Sequence, residues 1–187
     1  MIYSQFPLSH ACLLVGFLLL AMGGVALVRP EDVKSWLTAF PRSRPWGFIL
    51  LGVATAWAWY LIDTIDLGEF ANWKTRLLIL IPIAALLTGR FVDEFLSARA
   101  LGMVALLAAE PLLESAFQQR EASRLFLVVL AYVWIVAAMF WIGTPYVLRD
   151  QIRWITSLPL RFRGTAAACA GYGLILLILG LTLHRSA

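Results

Sequence analysis

Leu125-Phe126-Leu127-Val128-Val129-Leu130-Ala131-Tyr132-Val133-Trp134-Ile135-Val136-Ala137-Ala138-Met139-Phe140-Trp141-Ile142 is a run of 18 residues without one charged side chain. A helix rises about 1.5 Å per residue, so about 20 such residues cross a hydrocarbon core roughly 30 Å thick. The run therefore reads as a transmembrane span. Thr165 to Leu183, His10 to Val28 and Trp46 to Ile62 read the same way. In the last of these, Trp57, Trp59 and Tyr60 gather toward the far end, where amphipathic rings favour the headgroup level.

Two further segments are shorter. Leu77 to Thr88 is only 12 residues long and contains Pro82, although Trp73 to Arg76 can extend its helix. Ala100 to Leu113 is interrupted by Glu110-Pro111. The pair fits either two short spans or one re-entrant hairpin, and two spans are preferred. The expected fold is thus an all-α integral membrane protein of about six transmembrane helices, forming a single polytopic domain over residues 1–187.

Composition agrees. The chain is 61% hydrophobic and 14% charged, too little polar surface to cover a soluble globule of this size. No Lys or Arg precedes the first apolar run and no small-residue cleavage site ends it, so that run is expected to be a retained span. The net charge of +4 is read as basic loops held at one membrane face, and nucleic acid is not an expected partner. Cys12 and Cys169 lie in different spans at different depths, which excludes a disulfide framework.

Arg29, Lys34, Arg42, Arg44, Arg90, Arg99, Arg149, Arg153, Arg161 and Arg163 fall on one side of the six-span topology. Lys74, Arg76, Arg120, Arg124 and Arg185 fall on the other. The positive-inside rule puts the larger set in the cytoplasm and both termini outside. Compact loops and few lysines suit a bacterial inner membrane.

The most informative motif is repeated. Asp32-Val33-Lys34-Ser35-Trp36-Leu37-Thr38-Ala39-Phe40-Pro41 returns at a constant offset of 118 as Asp150-Gln151-Ile152-Arg153-Trp154-Ile155-Thr156-Ser157-Leu158-Pro159, with Asp, Trp, Thr and Pro identical. Each copy lies between long apolar runs, which suggests a duplicated span-loop-span unit over about 9–63 and 125–184. Val33, Trp36, Leu37 and Phe40 have the spacing of one face of a helix lying in the interface. In the second copy Ile152, Ile155 and Leu158 supply a weaker stripe, with Trp154 beside it. Asp32 and Asp150 are placed to initiate the two helices. Trp36, Arg42, Arg44, Trp154, Arg161 and Arg163 are the expected anchoring or docking residues, able to meet lipid phosphates or a cytoplasmic partner.

Glu110 and Glu114, one turn apart, are candidates for an ion or proton site, because a carboxylate at membrane depth is costly unless it has a use. Arg99, Arg120 and Arg124 are their candidate partners. The plainer reading is a helix end near the outer interface. Asp63, Asp66 and Glu69 form an acidic outer turn that could hold a divalent cation, although Gly68 and Asn72 favour ordinary solvation. Asp93 and Glu94 pair locally with Arg90 and Arg99 or, in a re-entrant hairpin, line a cavity. His10 and His184 have no second ligand at metal spacing, and no cofactor is expected.

Sequence patterns of hydrolases, zinc proteases and phosphate-binding loops are missing. Three functions remain in order of preference. The first is a non-catalytic scaffold or accessory subunit, with a membrane-protein partner or a second copy of itself. The second is a small ion-coupled transporter or channel using Glu110 and Asp63. The third is an intramembrane enzyme acting on lipid.

Overall fold

The structure, a computed structural model, describes residues 7–91, 95–117 and 123–186, the last three of these by their backbone alone. Asp93, Glu94 and Arg120, and the side chains of His184 and Arg185, lie outside what is described. Among the described residues, eight α-helices follow one another: α1 (Leu8–Val28), α2 (Pro30–Ala39), α3 (Arg44–Thr64), α4 (Lys74–Phe91), α5 (Leu96–Ala116), α6 (Arg124–Gly143), α7 (Tyr146–Thr156) and α8 (Pro159–Ser186). Six of them, all but α2 and α7, are long and apolar enough to cross a membrane. The chain is an all-α membrane protein.

Proline sets several boundaries. Pro30 and Pro159 open α2 and α8, and Pro45 stands second in α3, in the first turn, where a missing N–H leaves no internal bond unmade. Pro82 and Pro111 instead sit inside α4 and α5. Neither breaks its helix. α4 and α5 run 18 and 21 residues, about 27 and 32 Å at the usual rise, longer at both ends than the apolar runs that mark them. Moreover, α4 packs chiefly on α3, so the two short segments form two separate helices, each long and apolar enough to cross, and not a hairpin folded on itself.

The tightest pairing joins the first and last helices. Ser9, Gly16 and Gly23 on α1 recur at seven-residue intervals, as do Ala166, Gly173 and Gly180 on antiparallel α8. They meet as three rungs. A Cβ added at Gly180 would stand 3.0 Å from the Ser9 carbonyl, one at Gly173 would stand 2.7 Å from the Gly16 carbonyl, and one at Gly23 would stand 2.7 Å from the Ala166 carbonyl. Two helices in lipid gain little from hydrophobicity, so close backbone approach supplies the attraction as dispersion. Gly171, also on α8, faces open space and takes no part in the seam.

α5 is the hub. It packs on α3, on α6 and, more lightly, on α1. A Cβ at Gly102 would press on Ile142 and on the Ala138 carbonyl of α6, and one at Gly47 would press on Leu96 and Ser97. Toward the α1 N-terminus, the core gathers Leu8, Ala11, Cys12 and Val15 with Leu112, Ala116, Leu127, Ala131 and Leu176. Both cysteines are free.

Candidate functional site

α2 and α7 follow α1 and α6 on the same end of the bundle and touch each other. Their inward faces are apolar. Leu37, Phe40, Leu148 and Ile152 pack with Ala98 of α5 and with Phe95 just before it, while Val33 and Ile155 close over Ala26, Phe162 and Ala166. A short 3-10 turn, Phe40–Arg42, joins α2 to α3. It is tied down by the buried Ser97 hydroxyl, which donates to the Phe40 carbonyl at 2.8 Å. Trp141 Nε1 donates to Gln151 Oε1 at 3.0 Å, linking the end of α6 to α7. Lys34 pairs with Glu31 at 2.9 Å and lies 5.3 Å from the Phe162 ring, linking α2 to α8.

Three details depart from the sequence pattern. α7 begins at Tyr146, so Asp150 stands inside the helix and pairs with Arg149 at 2.9 Å instead of initiating it. Only Asp32, with Glu31, occupies a first turn. Leu158 falls beyond α7 and is exposed, and Leu148 takes its expected place in the stripe. The second stripe is accordingly better formed than the motif suggests.

The outward side of this end carries the predicted docking residues. Trp36 and Trp154 are 47% and 57% exposed, large apolar areas for side chains at the rim of a packed surface. They are held differently. Trp36 meets Trp46 edge-on at 5.8 Å and Phe40 at 5.2 Å, whereas Trp154 lies 4.9 Å beneath the Arg161 guanidinium, which also donates to Ser157 Oγ at 3.3 Å. Arg44 stands at the start of α3 and Arg163 in the first turns of α8, both exposed. Arg42 is exposed as well. It lines a cavity of about 230 Å³ between the two loops, with Thr38, Pro41, Arg149, Ile152 and Arg153.

No family model, curated protein or solved structure matches the chain. What this end can do is read from its own residues. Arg149 and Arg153, one turn apart on α7, are the residues that the repeated motif does not single out, because Arg149 lies just before it and Arg153 has Ser35 as its counterpart. Their i, i+4 spacing, continued backward from Arg153, is the signal that marks them. Arg149 also lies 5.8 Å from the ring of Phe95, a residue in the left-handed region at φ 56°. A bulky residue holds that conformation only where its surroundings impose it; here the ring packs in the α2-α7 core.

At the opposite end, Glu110 and Glu114 share an open, mainly apolar groove of about 540 Å³ with Leu106, Ala109, Leu113 and Phe117 of the α5 end and Ile135 of α6. Glu110 is exposed and stands six residues before the end of α5, about 9 Å along the axis. Arg99 is not its partner, being eleven residues away at the other end of the helix, about 16 Å. Asp63 is elsewhere, near the end of α3, where its carbonyl accepts from Lys74 Nζ at 2.5 Å. Asp66 caps the following turn by accepting from the Gly68 N–H at 3.0 Å. Among the described residues, no three His, Cys, Asp or Glu side chains converge as metal ligands.

Proposed function

We propose that this chain is a non-catalytic scaffold or accessory subunit of a membrane complex, docking its partner on the end formed by α2 and α7. The observation that carries the reading is the placement of Trp36 and Trp154. Two amphipathic helices from distant parts of the chain pack together on apolar faces, yet each leaves a tryptophan about half exposed. Aromatic and Arg side chains at a rigid surface are the usual anchors of protein interfaces. The span-loop-span duplication supplies the two copies, and the ten basic residues of this end put it in the cytoplasm, with both termini outside, by the positive-inside rule. A bacterial inner membrane suits that arrangement.

The test is purification of the full-length chain from native membranes in mild detergent, with quantitative mass spectrometry of what remains bound. A second protein is expected in fixed ratio, and it is expected to be lost from Trp36→Ala/Trp154→Ala. Recovery of the chain alone, or retention of the partner by the double variant, overturns the reading.

A second reading has its own observation. Glu110 and Glu114 face one groove at the other end, and two carboxylates against an apolar wall suit a protonation or cation step in a small transporter. Glu110→Gln is expected to abolish ion-coupled transport in reconstituted vesicles under that reading and to change nothing under the first.

A further inference from the structure

We propose that Arg42, Arg149 and Arg153 form a phosphate-binding site in the cavity between the two loops. This goes beyond the docking role and does not depend on it, since the cavity lies between α2 and α7 and the tryptophans lie on their outward side.

Three arginines, Arg42 and Arg153 exposed and Arg149 half-buried, line one open cavity of about 230 Å³, several times the roughly 30 Å³ that one water occupies in the liquid. Asp150 is the acidic side chain paired with any of the three, and it engages Arg149 alone. Arg42 and Arg153 have no carboxylate partner among the described residues. Like charges one turn apart on α7 repel, and Pro41 and Ile152 supply an apolar wall. A planar guanidinium presents paired N–H donors that match phosphate oxygens, so a phosphate monoester or diester is the anion this lining fits. A phosphate held there would bridge the turn after α2 to α7 and favour the docked pair of loops. Two sources carry that group: the headgroup of an anionic lipid, whose phosphates lie at the level where amphipathic helices and tryptophans settle, and free phosphate in the aqueous phase.

The experiment uses the full-length chain in mild detergent, with native mass spectrometry and thermal shift during titration with phosphatidylglycerol and, separately, with inorganic phosphate. Each Arg→Gln change in the cavity is expected to weaken binding about five-fold, so Arg42→Gln/Arg153→Gln should weaken it about 25-fold. Arg42→Lys/Arg153→Lys should recover part of this, which shows that the sites are charge-dependent in a folded chain. Arg90→Gln, a basic side chain of the same end outside the cavity, should change binding less than two-fold. Tight binding of phosphatidylglycerol with none of inorganic phosphate identifies a lipid headgroup, and binding of both identifies the phosphate group alone. Absence of binding by either probe, equal binding by the Gln double variant, or an equal loss in Arg90→Gln overturns the proposal.

Discussion

Gly173→Ala adds one methyl group at the middle rung between the first and last spans, and its effect can be worked from geometry. The new Cβ would stand 2.5 Å from the Leu20 nitrogen and 2.7 Å from the Gly16 carbonyl, where ordinary contact begins at 3.4 Å. Both neighbours are backbone and cannot rotate away, so α1 and α8 must part by roughly 0.7 to 0.9 Å. A gap of that size forfeits a quarter to a half of the dispersion energy of each contact it opens, and the rungs above and below open with it. Overpacking of this kind costs about 1–3 kcal/mol. Gly171→Ala is the internal comparison, because its Cβ meets open space and replacing glycine in a helix gains up to about 1 kcal/mol. The two variants are therefore expected to differ by about 1–4 kcal/mol in reversible SDS unfolding from mixed micelles, with Gly173→Ala the weaker. Equal stability, or a Gly173→Ala chain as stable as the parent, would refute the three-rung seam.

Other expectations follow from single contacts. Ser97→Ala removes the one donor that reaches the Phe40 carbonyl from α5, while the Ser43 N–H and hydroxyl still donate to it, and should cost about 0.5–1.5 kcal/mol, the net worth of one hydrogen bond, read in the same unfolding assay; no loss would show that the turn is held by packing and its own local bonds. Trp141→Phe breaks the bond to Gln151 while keeping most of the apolar area. It should loosen α7 and raise amide exchange there, and unchanged exchange would count against that link as a tether. Cysteine placed at Asn72 or at Ser157, in a chain whose Cys12 and Cys169 are replaced by Ala, tests orientation with a membrane-impermeant maleimide. The Asn72 variant should label in intact cells and the Ser157 variant only after permeabilisation, and the reverse pattern would invert the proposed topology.

Hydropathy makes the spans legible because each presents an apolar surface to lipid, and a membrane helix requires that surface whatever its neighbours are. It underrates α4 and α5 for a physical reason. Their ends carry Lys74, Arg76, Arg90 and Arg99, whose long stems can reach the interface while the backbone stays helical, and prolines at Pro82 and Pro111 look like breaks that a membrane helix tolerates. The α1-α8 rungs are invisible to hydropathy, since Ser9, Gly16 and Gly23 become a seam only when a second helix with matching spacing is set against them. The basic cavity was hidden similarly. Reading the repeated motif directs attention to residues the two copies share, such as Thr38 and Pro41, whereas the three arginines beside them in the cavity are residues the copies do not share.

That difference decides how many such sites one chain can have. At the offset of 118, Arg42 corresponds to Leu160, Arg149 to Glu31 and Arg153 to Ser35. A cavity related to the first by exchanging the two copies would therefore have an apolar side chain, a carboxylate and a hydroxyl where the first has three arginines, and phosphate would be repelled or ignored. The surrounding helices are unequal too. α1 packs directly on α8, whereas α6 and α3 each pack on α5. Two loops alike in Asp, Trp, Thr and Pro thus share the residues that build an amphipathic helix at the interface, and differ in those that would give it a ligand. A phosphate site formed between them is single in each chain, so a binding stoichiometry of one is the value that native mass spectrometry should return at saturation.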